Sequence, residues 1–329
     1  MKIAIFGSGS WATALVKIAC ETHKEIFWWV REEEIAEGVR KHGYNPLYLS
    51  QCELDSCKIH IETDIKNIIN KTDNLLFVVP SAFLARSLEG LSPKDFEDKY
   101  LISAIKGIVP ETNQIVADYF AEHFLVPYNN QAVISGPSHA EEIAKSSLTY
   151  LTVGSTNTEL AEFYAESFSC RYVNTVVSND IIGIEYGGIL KNIYALAVGI
   201  ANGLGRRDNF ISVLVANSAQ EMQRFLDKVS PLEGRNITHF VYLGDLLVTA
   251  YSQHSRNRTF GQMVGSGYSI HSAQLEMKMV AEGYYAAKSI HIANKAHNAD
   301  IPIAEAVYRI LYKGSSPTKE IEALSQDFR

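Results

Sequence analysis

The feature that most limits the fold comes at the start of the chain. KIAIF has the apolar character of a strand, breaks on Gly7-Ser8-Gly9 and resumes at once as a helix-forming pattern. A strand that turns on two glycines directly into a helix is the opening unit of a parallel α/β sheet. Gly7 permits the tight turn, Gly9 lets the backbone approach a pyrophosphate, and the small Ala12 lets helix and strand pack closely. A plain tight turn would use the same glycines, so the context has to carry the rest.

That context is a run of eight short β-branched or aromatic segments alternating with amphipathic stretches, the pattern of βαβ units. They are KIAIFG from Lys2, EIFWWV from Glu25, KIHIE from Lys58, NLLFVVP from Asn74, YLISAI from Tyr100, QAVIS from Gln131, YLTVGS from Tyr150 and YVNTVV from Tyr172. Helices are expected between them, for example from Glu32 and from Thr112. After Ser178 the strand signal fades, and Ile181, Ile184, Leu190, Ile193, Ala197 and Ile200 recur roughly at helical spacing. The fold class is α/β. A Rossmann-type, doubly wound and mainly parallel sheet over residues 1–178 precedes an all-helical domain over 179–329, with a tight joint near residue 178. The polar stretch from Lys313 is expected to cap the domain or fray.

Bulk properties narrow the function. With 329 residues, 47% of them hydrophobic, the chain can bury two ordinary cores. A net charge of -7 does not suit a protein that binds nucleic acid by neutralising phosphates. No uncharged apolar stretch has the length of a membrane span, and no basic leader precedes the first strand, so a cytoplasmic protein starting at Met1 is expected. Cys20, Cys52, Cys57 and Cys170 lack metal or redox spacing and read as free thiols, and no histidine pair has metal-site spacing. No metal is expected. The absence of a G-x-S-x-G elbow disfavours serine-hydrolase chemistry.

Choice between nicotinamide cofactors falls to the end of the second strand, which reads Trp29-Val30-Arg31. An acidic residue there would bond ribose hydroxyls, whereas an arginine offers a planar fork to a 2′-phosphate. NADPH is thereby favoured over NADH. Glu32, Glu33 and Glu34 read as favourable charges on the first turn of the next helix.

Candidate reacting groups are lysines. Lys106 closes the fifth strand, at the carboxyl edge where such sheets bind ligands. Lys191 stands in GGILKN, where Gly187 and Gly188 cost helix stability and suggest close approach of another group. Ser255, Arg256, Asn257 and Arg258 gather donors as an anion pocket requires, although a basic turn would look the same. In ISGPSHAEEIA, Ser138 reads either as a helix N-cap or as a ligand group after Gly136. His139 and His254 read as bystanders.

Taken in order, GSGSWATAL, NPLYL, VVPS, AIKG, ISGPSHAEEIA, GIEYGGILKNIYALAVGIANGLG, LGDLLVT and SRNRTFG resemble the motifs of NAD(P)-dependent glycerol-3-phosphate dehydrogenases, from about Ile3 to Tyr312. The resemblance implies reversible reduction of dihydroxyacetone phosphate to sn-glycerol 3-phosphate, a phospholipid precursor, in the cytoplasm. It implies Lys191 as general acid and base, a role open to a lysine whose pKa is lowered toward neutrality. Lys106 is implied to contact cofactor and substrate, Asn192 and Asp245 to orient the lysine and the substrate hydroxyls, and Thr249 to assist. Arg256 and Asn257 are implied to hold the phosphate, with Ser255, Gly136 and Ser138 lining the substrate pocket. Ser10, Trp11, Arg31, Tyr48, Ala140, Arg256, Val280 and Glu282 are implied cofactor contacts.

The family pattern is broken in four places: Ala12, Asn202 and Arg207 stand where it usually has glycine, aspartate and glycine, and Phe240-Val241-Tyr242 replaces a glycine-rich run. Competing readings are a β-hydroxyacid or ketopantoate type of dehydrogenase, against which the SRN segment argues, and a non-catalytic NADPH sensor, against which Lys106, Lys191 and Asp245 argue. Oligomeric state stays open, with a homodimer among the options.

Overall fold

The computed structural model describes residues 2–277 and 281–328. The chain forms two compact units. The first runs to residue 105 and includes Gln114–Ile181; the second comprises Lys106–Asn113 and the residues from 182 onward. The short excursion 106–113 thus belongs with the helical unit, although it follows a strand of the first.

Strands and helices alternate in the first unit: β1 (Lys2–Phe6), α1 (Ser10–Thr22), β2 (Glu25–Trp29), α2 (Glu33–His42), β3 (Ile59–Glu62), α3 (Ile65–Ile69), β4 (Asn74–Phe77), α4 (Ser81–Ser87), β5 (Tyr100–Ser103), α5 (Val116–His123), β6 (Gln131–Ser135), α6 (Ala140–Ala144), β7 (Thr149–Gly154), α7 (Thr158–Phe168) and β8 (Val173–Ser178). All eight strands read from the sequence form, in the spatial order β3-β2-β1-β4-β5-β6-β7-β8. Only β6 and β7 pair antiparallel, Val133 opposite Gly154, while the other neighbours are parallel. Inner strands such as β6 are buried along their whole length, as a sheet covered on both faces requires. β5 ends at Ser103, so Lys106 lies three residues beyond the strand it was expected to close.

Strand order reverses between β1 and β4, and that is where ligands bind in open α/β sheets. Gly7 (φ +142°) leaves β1 there. A β-carbon on it would stand 3.0 Å from the Val78 carbonyl at the end of β4. Only glycine allows the two strand ends to lie this close.

The second unit is helical: α8 (Ile181–Gly203), α9 (Asp208–Val229), α10 (Asp245–Tyr251), α11 (Arg256–Gly265), α12 (Ile270–Glu276), α13 (Glu282–His297), α14 (Pro302–Lys313) and α15 (Pro317–Asp327). By length and composition α8 would pass for a membrane span, yet 94% of its most apolar window is buried in the protein, as expected of a core helix. Apart from a few buried polar residues, among them Lys191 and Asn192, it is apolar around its circumference because the rest of the unit covers it. Gly199 and Gly203 of α8 meet Gly261 and Gly265 of α11 so closely that an added β-carbon at Gly199 would stand 2.1 Å from the Arg258 carbonyl oxygen. One at Gly261 would stand 2.2 Å from that of Leu196. Small residues spaced by four let two helix backbones touch.

Glu221 of α9, fully buried, replaces the missing N-cap of α14. Its carboxylate accepts from the Ile303 and Ala304 N–H groups at 2.7 and 2.9 Å. Burial pushes its pKa up to about 8 against those two hydrogen bonds. The polar tail from Lys313 does not simply fray: α15 forms from Pro317 and buries Ile321 and Leu324.

Because no side-chain rearrangement can relieve a backbone clash, Gly261→Ala should separate α11 from α8. Its thermal midpoint should fall by about 5 °C or more, the scale of a severe core overpacking. Calorimetry on the purified variant reads this, and a midpoint equal to that of the wild type would refute so tight a contact.

Candidate active site

Lys191 sits in the middle of α8 with a side chain 7% exposed. Its Nζ donates to Asp245 Oδ1 at 2.5 Å and to Thr249 Oγ1 at 3.0 Å. Lys106 Nζ reaches the other carboxylate oxygen, Asp245 Oδ2, at 3.0 Å. Asp245 opens α10 behind a π-helical turn, Phe240–Gly244, and Thr249 lies one turn further on, its hydroxyl donating to the Asp245 carbonyl at 2.6 Å. The wide turn aims Asp245 inward, a common use of π geometry at functional sites.

Burial lowers the Lys191 pKa to about 7, and the ammonium of Lys106 adds to that effect while the Asp245 carboxylate opposes it. Burial works against ionising Asp245 as well, but the two lysines outweigh it and hold the carboxyl below its usual range. One carboxylate between two ammonium groups leaves the cluster with excess positive charge. That is the electrostatic environment a developing oxyanion needs.

A chain of amides fixes the cluster to its surroundings. Asn192 Nδ2 donates to the Lys106 carbonyl at 3.2 Å, and Asn257 Nδ2 donates to Asn192 Oδ1 at 2.9 Å. Asn257 Oδ1 in turn accepts from Gly283 N–H at 2.9 Å. Gly283 has to be glycine, since a β-carbon would lie 2.6 Å from the Asn192 carbonyl oxygen. The Asn257 amide is therefore engaged as a brace, with one of its two Nδ2 hydrogens given to Asn192.

Two neighbours in the SRNR segment also take structural roles. Ser255 is the N-cap of α11, its Oγ accepting from Arg258 N–H. Arg258 directs its Nη1 to the Tyr251 and Ser252 carbonyls at 3.1 and 3.3 Å and closes the end of α10. Arg256 begins α11, the positive end of a ten-residue helix. Half-buried Glu282 opens α13; burial pushes its pKa up to about 7, while Arg256, Lys191 and Lys106 pull it back. Val280 lies outside the described residues.

The glycine loop and the residues around it lie in the first unit. Gly9 is the N-cap of α1 and has open space where a side chain would stand. No side chain caps α1, and its first turn, with Ser10 and Trp11, holds no acidic residue. These properties fit an anion at the helix N-terminus. Trp11 Nε1 donates to the Ala104 carbonyl at 3.1 Å, and Trp28 Nε1 to that of Gly7 at 2.7 Å.

Sequence reasoning passed over Asn45, which is fully buried. Its Nδ2 donates to Ser8 O and Thr13 Oγ1, and its Oδ1 accepts from Leu47 and Tyr48 N–H, so every hydrogen-bonding position is used. Tyr48 is thereby tied to the glycine loop. The signal lay inside the quoted NPLYL, but a polar residue before a proline gives no hint of burial.

Ser138 is not the N-cap of α6; His139 is, and the Ser138 hydroxyl donates to the Gly136 carbonyl at 3.0 Å. Gly136 (φ +139°) abuts the Tyr150 carbonyl, 2.7 Å from where a β-carbon would be. Ala140 starts α6, which packs on α1. Arg31 is engaged by Glu32 instead of standing open, and Glu32 is the N-cap residue of α2, not a first-turn charge like Glu33 and Glu34. The four cysteines are free thiols.

Comparison with known proteins gives a consistent result. Residues 2–161 match the family described as NAD-dependent glycerol-3-phosphate dehydrogenase N-terminus, and residues 180–322 match the corresponding C-terminus. A glycerol-3-phosphate dehydrogenase (NAD(P)+) of Salinibacter ruber is 32% identical over 98% of this chain and 93% of its own. One from Staphylococcus haemolyticus is 33% identical over 97% and 96%. The crystal structure of glycerol-3-phosphate dehydrogenase from Coxiella burnetii superposes with a TM-score of 0.89 at 27% identity, covering 98% of both chains. A ketopantoate reductase from Ralstonia eutropha reaches 0.60 at 14% identity, a likeness of fold alone. Matched along almost its whole length, the chain belongs to the NAD-dependent glycerol-3-phosphate dehydrogenase family.

Proposed function

We propose that this protein reduces dihydroxyacetone phosphate to sn-glycerol 3-phosphate, reversibly, with NADH or NADPH, and that Lys191 is the general acid and base. The observation that carries the reading is a buried lysine held by Asp245 and Thr249 beside a second lysine, where burial lowers its pKa toward neutrality. General acid–base chemistry at neutral pH calls for such a group.

Gly7, Gly9, Ser10, Trp11, Arg31, Tyr48, Lys106, Ala140, Arg256, Val280 and Glu282 are assigned to the dinucleotide. Open space at Gly9 and the uncapped start of α1 support that assignment. When bound, the nicotinamide supplies the hydride. Lys191 Nζ donates a proton to the carbonyl oxygen at C2, and in reverse its neutral amine removes the hydroxyl proton. Lys106 adds positive charge where the oxygen becomes anionic. Asp245 keeps both cations in place and raises the Lys191 pKa from the lower value that burial alone would set.

The substrate phosphate is assigned to Arg256 and the N-terminus of α11, where helix N–H groups suit an anion. Asn257 is assigned to the phosphate with Arg256, while its side chain also braces Asn192 and Gly283. Gly136, Ser138 and Ser255 complete the substrate assignment. The phosphate does not react, so its binding energy is available to orient the carbonyl. We place the protein in the cytoplasm, as a source of the glycerophospholipid backbone.

Lys191→Ala should lower kcat by about 10²–10⁴-fold, the contribution typical of a positioned acid–base group. Calorimetric affinity for the nucleotide should stay near that of the wild type. Loss of nucleotide binding, or near-normal turnover, would remove Lys191 from this role.

The sign of the pH dependence follows from the lowered pKa. Reduction requires the protonated lysine, so kcat for reduction should fall as pH rises through about 7, and oxidation should fall as pH drops below it. Asp245→Asn removes the group that raises the Lys191 pKa, so the alkaline limb for reduction should move to lower pH. A limb left in place would contradict the assigned coupling.

Arg256→Ala should raise the KM for dihydroxyacetone phosphate by about 10- to 100-fold, the loss of one charged hydrogen-bonding partner. Unphosphorylated dihydroxyacetone, ketopantoate and acetoacetyl compounds should give negligible NADPH oxidation. Turnover of ketopantoate in place of the triose phosphate would favour a different dehydrogenase, and nucleotide binding with no turnover at all would favour a sensor.

A further inference from the structure

Arg31 follows β2 at the position where sheets of this type distinguish ribose hydroxyls from a 2′-phosphate. In this chain an acid and a base stand next to each other there. Arg31 Nε and Nη2 both donate to Glu32 Oε1, at 3.0 and 2.6 Å. The same edge of the guanidinium would make a paired contact with a phosphate. It is occupied by a carboxylate before any nucleotide arrives.

The two partners differ in exposure. The Arg31 side chain is 68% exposed, that of Glu32 only 22%, and the second Glu32 oxygen is buried with no hydrogen-bond partner. A sheltered carboxylate has less water to screen its charge. The next acid is not a competitor for Arg31, since Glu33 is engaged by Arg40 at 2.8 Å and by Thr63 at 3.3 Å. Glu32, and not Glu33, therefore holds the arginine.

We propose that Glu32 is a specificity-determining residue for the nicotinamide cofactor. A 2′-phosphate must take Arg31 away from Glu32 and then lie beside that carboxylate. NADH asks for neither change and leaves the ion pair whole. Glu32 thus offsets the NADPH preference that Arg31 by itself would impose. The proposal rests on reading the glycine loop as a dinucleotide site, but not on the triose phosphate reaction.

Titration calorimetry of NADPH and NADH against the wild type, Glu32→Gln and Glu32→Ala tests it without any turnover. In both variants the NADPH affinity relative to NADH should rise by about tenfold or more, the value of a freed charge-assisted contact. Adding Arg31→Ala should cancel that gain. A ratio within about twofold of the wild type would overturn the proposal, as would a gain that persists without Arg31 or a wild type that binds neither nucleotide. If both nucleotides bind with the expected ratio change while dihydroxyacetone phosphate is not turned over, the fault lies with the reaction assigned above and not with Glu32.

Discussion

A carboxylate almost shut off from water, Asp245, is shared by two ammonium groups, and the chemistry of the helical unit depends on that sharing. A lone lysine buried on α8 would lose its proton well below neutrality, because burial penalises the charged form. A buried pair of one lysine and one carboxylate would tend to lock as an ion pair, with no charge left over for a substrate. Two lysines on one carboxylate avoid both outcomes. Lys106 lowers the pKa of its neighbour, Asp245 raises it, and the balance against desolvation lies near 7. A proton can then be held and released at the same atom under physiological conditions.

Such a balance is sensitive to distance, so the backbone that carries it has to be rigid. The glycines of α8 and α11 provide this by direct contact, with Gly199, Gly203, Gly261 and Gly265 each facing a backbone carbonyl. Helices in contact at this separation cannot slide without a clash. The amide chain from Lys106 through Asn192 and Asn257 to Gly283 then joins the reactive cluster to the starts of α11 and α13. Asn257 serves both ends, its side chain bracing the interior while its backbone opens the helix assigned to the phosphate.

Much of this was legible in the sequence, and the failures have physical causes. All eight strands were visible because β-branched and aromatic residues cluster where strands form and glycine or proline separates them. The helix α15 was missed because its apolar residues Ile321 and Leu324 are few, and its amphipathic character shows only against a partner. Lys191 and Asp245 were marked by motif, and the structure brings both together. The roles of Ser255, Asn257 and Arg258 were not readable, since residue type identifies a donor but not its acceptor. Capping a helix, bracing a neighbour and binding an anion call for the same side chains. Asn45 was missed for a related reason: its four hydrogen bonds join segments whose proximity only the fold creates.

The departures from the family pattern can be weighed in the same terms. Phe240-Val241-Tyr242 replaces small residues just before Asp245, where added bulk would be expected to displace the carboxylate. Instead the Tyr242 ring, nearly buried, lies over Gly187, and a β-carbon there would stand 2.9 Å from its Cδ1. The glycine that weakens α8 thus makes room for the larger ring four residues before Lys191. Asp245 follows the π-helical turn and enters α10 with both lysines in reach. Arg207 stands at the exposed start of α9, where a side chain meets solvent, and Asn202 keeps its carbonyl on the Gly205 N–H. The Tyr242 ring fits over a glycine already present in the shared GGILKN motif, and the lysine–carboxylate–lysine geometry is intact beside it, which is the physical reason these substitutions are compatible with the reaction proposed.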